Sequence, residues 1–161
     1  MLTRIKRGAR GGANGRFVIV ASRYNARYVD AMLRAAQSEL RQAGAKSVQV
    51  VRVPGAFEVP LVAAKIARRA IQTSADGVSA IICLGVILRG ETVHAAHIGE
   101  NVSRALMEIQ MRYEIPVIHE VLLLEDEGQA RVRCLSKTHN RGAEAAQTAL
   151  MMARVVKSIS G

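Results

Sequence analysis

The chain has 161 residues and is 50% hydrophobic, enough for one compact domain with a substantial core. No uninterrupted apolar stretch approaches the roughly 20 residues that cross a bilayer, and no secretory-type apolar segment heads the sequence, so a cytoplasmic protein without membrane partners is expected. Basic residues outnumber acidic ones 23 to 13, for a net charge of +10, which favours anionic partners: nucleic acid, a charged surface or phosphorylated small molecules.

The first sixteen residues contain Arg4, Lys6, Arg7, Arg10 and Arg16 and no acid. They read as a basic, glycine-rich arm, separate from a single domain over residues 17–161. Its "RGARGG" resembles a flexible RNA-contacting segment, and a merely solvated arm is the competing reading. The chain has no Trp, and the arm has no aromatic residue to stack on bases, so nucleic acid is expected only through its charges.

From Phe17 onward, short apolar runs alternate with longer amphipathic stretches, the pattern of a parallel sheet covered by helices on both faces. "RFVIVAS" predicts a strand, residues 29–43 a helix ending at Gly44, "SVQVVRVP" a strand, and Glu58 to about Ala70 a helix. "AIICLGVIL" predicts a third strand, residues 94–113 a helix, and "VIHEVLLL" a fourth strand. Helices over 126–135 and 141–158 complete the chain. The expected fold class is α/β: a three-layer α/β/α sandwich with a four-stranded parallel sheet, flavodoxin-like. Cys83 and Cys134 have no metal-ligand spacing and read as small packed hydrophobes.

Ligands of such open sheets bind beyond the carboxyl ends of the strands, which directs attention to "SRYN", "PGAFEVP", "RGETVH" and "LLLED". Tyr24 can stack on a heterocycle and Asn25 can bind a hydroxyl, although loops often carry both residue types. Phe57 and Glu58 sit at a strand-to-helix junction, where the carboxylate either accepts from ligand hydroxyls or complements the helix N-terminus. In "RGETVHAAH", Gly90 permits a close turn and Thr92 can cap a helix whose free N–H groups suit a phosphate. His94 and His97 are three apart and share a helix face. No third Cys, Asp or Glu accompanies them, so proton transfer beside a bound phosphate is preferred over a metal site. Further on, Arg133, Lys137 and Arg141 appear in a loop between helices, either as a basic surface or as a phosphate grip, with Glu144 placed to orient a histidine.

Taken together, "RYN", "VPGAFEVP", "GVILRGETVH", "PVIHEVL" and "QARVR…KTHNRGAEAA", in this order and spacing, resemble the lumazine synthase family over roughly Phe17 to Arg154. That family condenses 5-amino-6-ribitylamino-pyrimidinedione with 3,4-dihydroxy-2-butanone 4-phosphate, giving 6,7-dimethyl-8-ribityllumazine, phosphate and water, in the penultimate step of riboflavin synthesis. The resemblance implies no metal and no cofactor. It implies that Tyr24 stacks on the pyrimidine, that Asn25, Ala56, Phe57 and Glu58 surround the ribityl chain, and that the backbone at Ile87 and Leu88 meets the pyrimidine. Glu91 and Thr92 would form the phosphate-binding turn, with Arg133 of a neighbouring subunit as guanidinium partner. His94 would be the catalytic histidine, assisted by Glu144. His119 and Tyr24 stand where phenylalanine is common, and Ala95 where an aromatic is usual. A homopentamer is implied, and with it an icosahedral shell of twelve pentamers as one form of assembly. The competing functional readings are a non-catalytic lumazine- or flavin-binding relative and a nucleic-acid-binding protein acting through the basic arm.

Overall fold

The computed structural model describes residues 14–72 and 77–160. Most of the expected basic arm, residues 1–13, lies outside the described residues.

Four parallel strands form one sheet in the order β2-β1-β3-β4: β1 (Arg16–Ser22), β2 (Ser47–Val53), β3 (Ala80–Leu88) and β4 (Val117–Leu124). The expected four-stranded three-layer α/β sandwich is present. β3 is central and "AIICLGVIL" is buried along nearly its whole length, as a strand covered on both faces must be. Alternation then sorts its side chains. Ala80, Ile82, Leu84 and Val86 join the core beneath α1 (Ala26–Gln42) and α5 (Arg141–Ser160). Ile81, Cys83 and Ile87 join the core beneath α2 (Val59–Gln72) and α3 (His94–Tyr113). Each fully buried Ile or Leu contributes about 1.5–3 kcal/mol relative to exposure. Both cysteines are free and buried, and burial pushes the Cys83 thiol up to about 12.

Two glycines shape the α1 side. Gly44, at φ +83°, takes the left-handed conformation that ends α1, while the Ala45 N–H donates to the Leu40 carbonyl at 3.1 Å. Gly142 lets the start of α5 lie directly on α1, since a Cβ there would sit 2.0 Å from the Met32 carbonyl oxygen.

The element boundaries differ most from expectation in three places. α1 begins at Ala26 rather than at residue 29, because Asn25 turns the chain in the left-handed region and the helix starts at once. Glu58 ends a short 3₁₀ turn, Ala56–Glu58, and α2 begins only at Val59. The expected helix over 126–135 divides into α4 (Glu127–Ala130), whose Asp126 cap accepts from the Gln129 N–H at 2.8 Å, and a π-helical turn, Arg131–Leu135. Arg133 therefore sits on that turn, while Arg141 is the first residue of α5 and not part of a loop. No helix among the described residues is long and apolar enough to cross a membrane.

Candidate active site

The loops leaving β1 and β2 are fastened together at the carboxyl edge of the sheet. The Arg23 N–H donates to the Val53 and Pro54 carbonyls at 2.8 and 3.0 Å, and the Tyr24 N–H to Pro54 at 3.0 Å. Asn25 stands at φ 55°, ψ 40°, a conformation its short polar side chain tolerates, and its Nδ2 donates to the Val86 carbonyl at 2.8 Å. This bond spans from the end of β1 to the end of β3, with the Asn25 Oδ1 unengaged by any described residue. Tyr24 lies over Gly55, where an added Cβ would come within 2.9 Å of its ring. Glu58 Oε2 accepts from the Gly55 N–H at 2.9 Å, so this carboxylate does cap its turn, yet the residue stays exposed with its other oxygen unengaged by any described residue.

These segments enclose an open cavity of about 670 Å³, within the size range of small-molecule sites. One wall is Tyr24 and Asn25, a second Gly55, Ala56, Phe57 and Glu58, and the floor Val86, Ile87 and Leu88. The last wall is one face of α3, made by His94, His97, Ile98 and Asn101, the spacing of residues that share a helix face. Tyr24 and Phe57 are 69% and 62% exposed, large rings held against solvent with little cover from the described residues. Such rings suit a planar ligand.

Glu91 and Thr92 occupy the exposed turn between β3 and α3. Val93, rather than Thr92, is the cap position of α3, and it supplies no side-chain bond; Thr92 Oγ1 makes only a 3.4 Å contact with the His94 N–H. The first N–H groups of a twenty-residue helix are thus weakly occupied beside the cavity, the arrangement that favours an anion. The turn is held from behind by Arg89, whose N–H donates to the Leu124 carbonyl at 2.8 Å and whose guanidinium reaches Glu125 at 2.8 Å.

Within one chain, His119, Arg133 and Glu144 do not line this cavity. Glu144 lies in the first turn of α5, on the sheet face opposite α3, and pairs with Arg141 at 2.8 Å. Arg133 is exposed on the π-helical turn. His119 turns toward α3, where Nδ1 accepts from the Val121 N–H at 3.1 Å and Nε2 lies 2.7 Å from Ser103 Oγ. The ring must therefore carry its proton on Nε2 and donate to Ser103, whose hydroxyl donates onward to the Gly99 carbonyl at 2.8 Å. Burial lowers the His119 pKa, which keeps this ring neutral. That tautomer cannot act as a base toward Ser103. Among the described residues, no group of three His, Cys, Asp or Glu side chains is placed to hold a metal ion.

Residues 14–157 match the sequence model of the 6,7-dimethyl-8-ribityllumazine synthase family. The chain is 36% identical over 148 residues to the 6,7-dimethyl-8-ribityllumazine synthase of Stenotrophomonas maltophilia (strain R551-3), covering 91% of this chain and 92% of that protein. It is 39% identical over 149 residues to the enzyme of the same name from Xylella fastidiosa (strain M12), with 91% and 93% covered. For that of Xanthomonas campestris pv. campestris (strain B100) the figures are 36% over 144 residues, with 88% and 90% covered. The chain belongs to the 6,7-dimethyl-8-ribityllumazine synthase family.

The family match spans every residue singled out from the lumazine synthase motifs. It also spans features that motif reading overlooked. Val86, Gly55, Ile98 and Asn101 line the cavity, beside His97, which the sequence already set on one helix face with His94. The spacing from His94 carries the signal for His97, Ile98 and Asn101. Glu120 was also overlooked: it is buried in β4 and bonded to Arg141, and a lone acid in an apolar strand is the anomaly that marks it.

Proposed function

We infer that this chain is a working lumazine synthase of riboflavin biosynthesis, joining 5-amino-6-(D-ribitylamino)pyrimidine-2,4-dione to 3,4-dihydroxy-2-butanone 4-phosphate. The observation that carries this reading is the convergence of Tyr24, Asn25, Phe57, Glu58, Ile87, Leu88 and His94 on one cavity at the carboxyl edge of the sheet. Tyr24 stacks on the pyrimidine while the ends of β3 meet its edge. Asn25, Ala56, Phe57 and Glu58 take the ribityl chain, the free Glu58 oxygen and the free Asn25 Oδ1 accepting from its hydroxyls. Glu91, Thr92 and the N-terminus of α3 bind the phosphate.

In the reaction the pyrimidine amine attacks the ketone and water leaves to give an imine. Phosphate is then eliminated, and the ribityl-bearing nitrogen closes the ring with loss of water. His94, at the first turn of α3, moves the proton that accompanies phosphate loss, worth about 10²–10⁴-fold. Holding both reactants in one cavity supplies the larger part, up to about 7–11 kcal/mol. Every step is a condensation or an elimination, so the chain's own groups suffice and the proposed site holds no cofactor or metal. Polar, phosphorylated substrates of this kind fit a cytoplasmic enzyme.

The placement of His119, Arg133 and Glu144 away from the cavity of their own chain supports a shared site in a homopentamer, in which a neighbour brings Arg133 to the phosphate and His119 toward the pyrimidine. Glu144 acts in the same manner on His94. The connection between the π-helical turn and α5 is short, which is compatible with a closed shell of pentamers. Mixing the protein with both substrates and following the fluorescence of the lumazine product tests the activity, and native mass measurement tests the pentamer.

A further inference from the structure

Among the described residues Glu120 is the only buried carboxylate, and the reaction as derived leaves it without a task. Its neighbours on the same face of β4, Ile118 and Leu122, belong to the apolar core beneath α1 and α5, and its register partner in β3 is Leu84. An acid persists in such a layer only with strong partners. Apolar side chains of similar volume would serve the fold as well, so stability does not account for it. Its partner is Arg141, whose Nη2 and Nε donate to the two Glu120 oxygens at 2.9 and 3.0 Å, while Nη1 donates to Glu144 at 2.8 Å. One positive charge thus serves two carboxylates. Asn140, the residue before it, donates from Nδ2 to the Cys134 carbonyl and accepts at Oδ1 from the Gly142 N–H at 2.9 Å. That pair of bonds ties the π-helical turn bearing Arg133 to the start of α5. Glu144 and Arg133, both assigned above to a neighbour's site, are therefore mounted on one buried anchor.

We propose that Glu120 is a positioning residue for the donated half of the active site: through Arg141 it aims Glu144 at the neighbour's His94, and its own proton decides how much of the Arg141 charge falls on Glu144. The proposal rests on the shared-site reading given above. With Glu120 protonated, the guanidinium charge falls on Glu144 alone, and that carboxylate is a weak partner for an imidazolium. With Glu120 ionised, the charge is divided, and Glu144 presents more of its own negative charge to His94 as that ring takes up a proton. The charged groups acting on Glu120 are Arg141 and Glu144 from α5 and Arg133 from the π-helical turn. Cys134, on the same turn, is pushed up to about 11 by burial and stays neutral. Burial raises the Glu120 pKa to about 7, which puts the change near neutral pH.

The test measures kcat for lumazine formation by the native chain and by Glu120→Gln from about pH 5.5 to about pH 8.5, a span that brackets the Glu120 titration. Glutamine keeps an acceptor for Arg141 and fixes position 120 in the uncharged form. The ratio of native to Glu120→Gln rates should therefore be near unity at the acid end and rise to about 3–10-fold at the alkaline end, the effect of up to about one unit in the His94 pKa. Taking the ratio cancels the titration that His94 shows in both proteins. A second variant, Glu120→Leu/Arg141→Met, should fold, because apolar pairs often replace buried ion pairs without loss. It should turn over about 10-fold more slowly across the whole range, since Glu144 has lost its holder. A native-to-Gln ratio that is constant with pH would mark Glu120 as structural and overturn the proposal, as would native turnover by the double variant, while lumazine synthesis by the native chain stood. A native chain that forms no lumazine overturns the shared-site reading and this proposal with it.

Discussion

Arg141 grips both carboxylate oxygens of Glu120, through Nη2 at 2.9 Å and Nε at 3.0 Å, and reaches Glu144 with Nη1 at 2.8 Å. One guanidinium thereby fixes the end of α5 to the middle of β4 and orients the carboxylate proposed to assist His94. Glu120 is only 6% exposed.

Burial raises the Glu120 pKa from 4.5 to about 7, against the opposing pull of Arg141. The folded protein therefore holds this proton more tightly than the unfolded chain does. Its contribution to stability is full below pH 4.5 and is lost as pH rises through about 7. Glu120→Gln, which keeps an acceptor for Arg141, should flatten the corresponding part of the stability–pH curve measured by denaturant unfolding. Arg141→Ala leaves a buried carboxylate unpaired and should cost about 3–5 kcal/mol above pH 7, with a smaller loss at pH 5, where Glu120 is protonated.

Gly142→Ala should destabilise the chain by about 1–3 kcal/mol or prevent folding, because its new Cβ meets the backbone of Met32 and not a side chain that can rotate away. Unfolding midpoints of the two proteins give the answer directly.

The strands were legible because their apolar runs are short and bounded by glycine, proline or charge; "AIICLGVIL" has the residues of β3 with no offset. The start of α1 was not, since Asn25 begins the helix from a left-handed conformation that apolar periodicity does not register. The π-helical turn at Arg131–Leu135 has the same amphipathic composition as an α-helix, and only its carbonyl–amide spacing distinguishes it. Tyr24, Phe57, Glu58 and His94 were legible as strand-end residues. The His94, His97 and Asn101 spacing marks one helix face, but that this face meets the cavity, and that Glu120 meets Arg141, depends on which helix face and which strand meet in space.

His94→Ala should lower kcat by about 10–10³-fold with the oligomer intact, because proton transfer is one contribution among several. His97 shares the cavity wall, so His97→Ala should raise the Michaelis constant for the pyrimidine by about 2–10-fold, the loss of one hydrogen bond, with a smaller effect on kcat. Steady-state kinetics with each substrate varied in turn separate the two roles.

Arg133→Ala should raise the Michaelis constant for the butanone phosphate far more than that for the pyrimidine, as a charge-assisted contact to phosphate is removed. In a mixture of subunits lacking Arg133 and subunits lacking His94, activity should partly return, because some sites then receive both residues from different chains.

The most direct test of the account is a stopped assay in which the purified protein is mixed with the ribitylamino-pyrimidinedione and the butanone phosphate while lumazine fluorescence and inorganic phosphate are followed together. The account predicts that both appear in equal amounts at a rate well above the uncatalysed condensation, and that the excess rate falls by about 10–10³-fold in His94→Ala. Tight binding of the pyrimidine with no product above the uncatalysed rate would contradict it, and would make the cavity that of a non-catalytic relative.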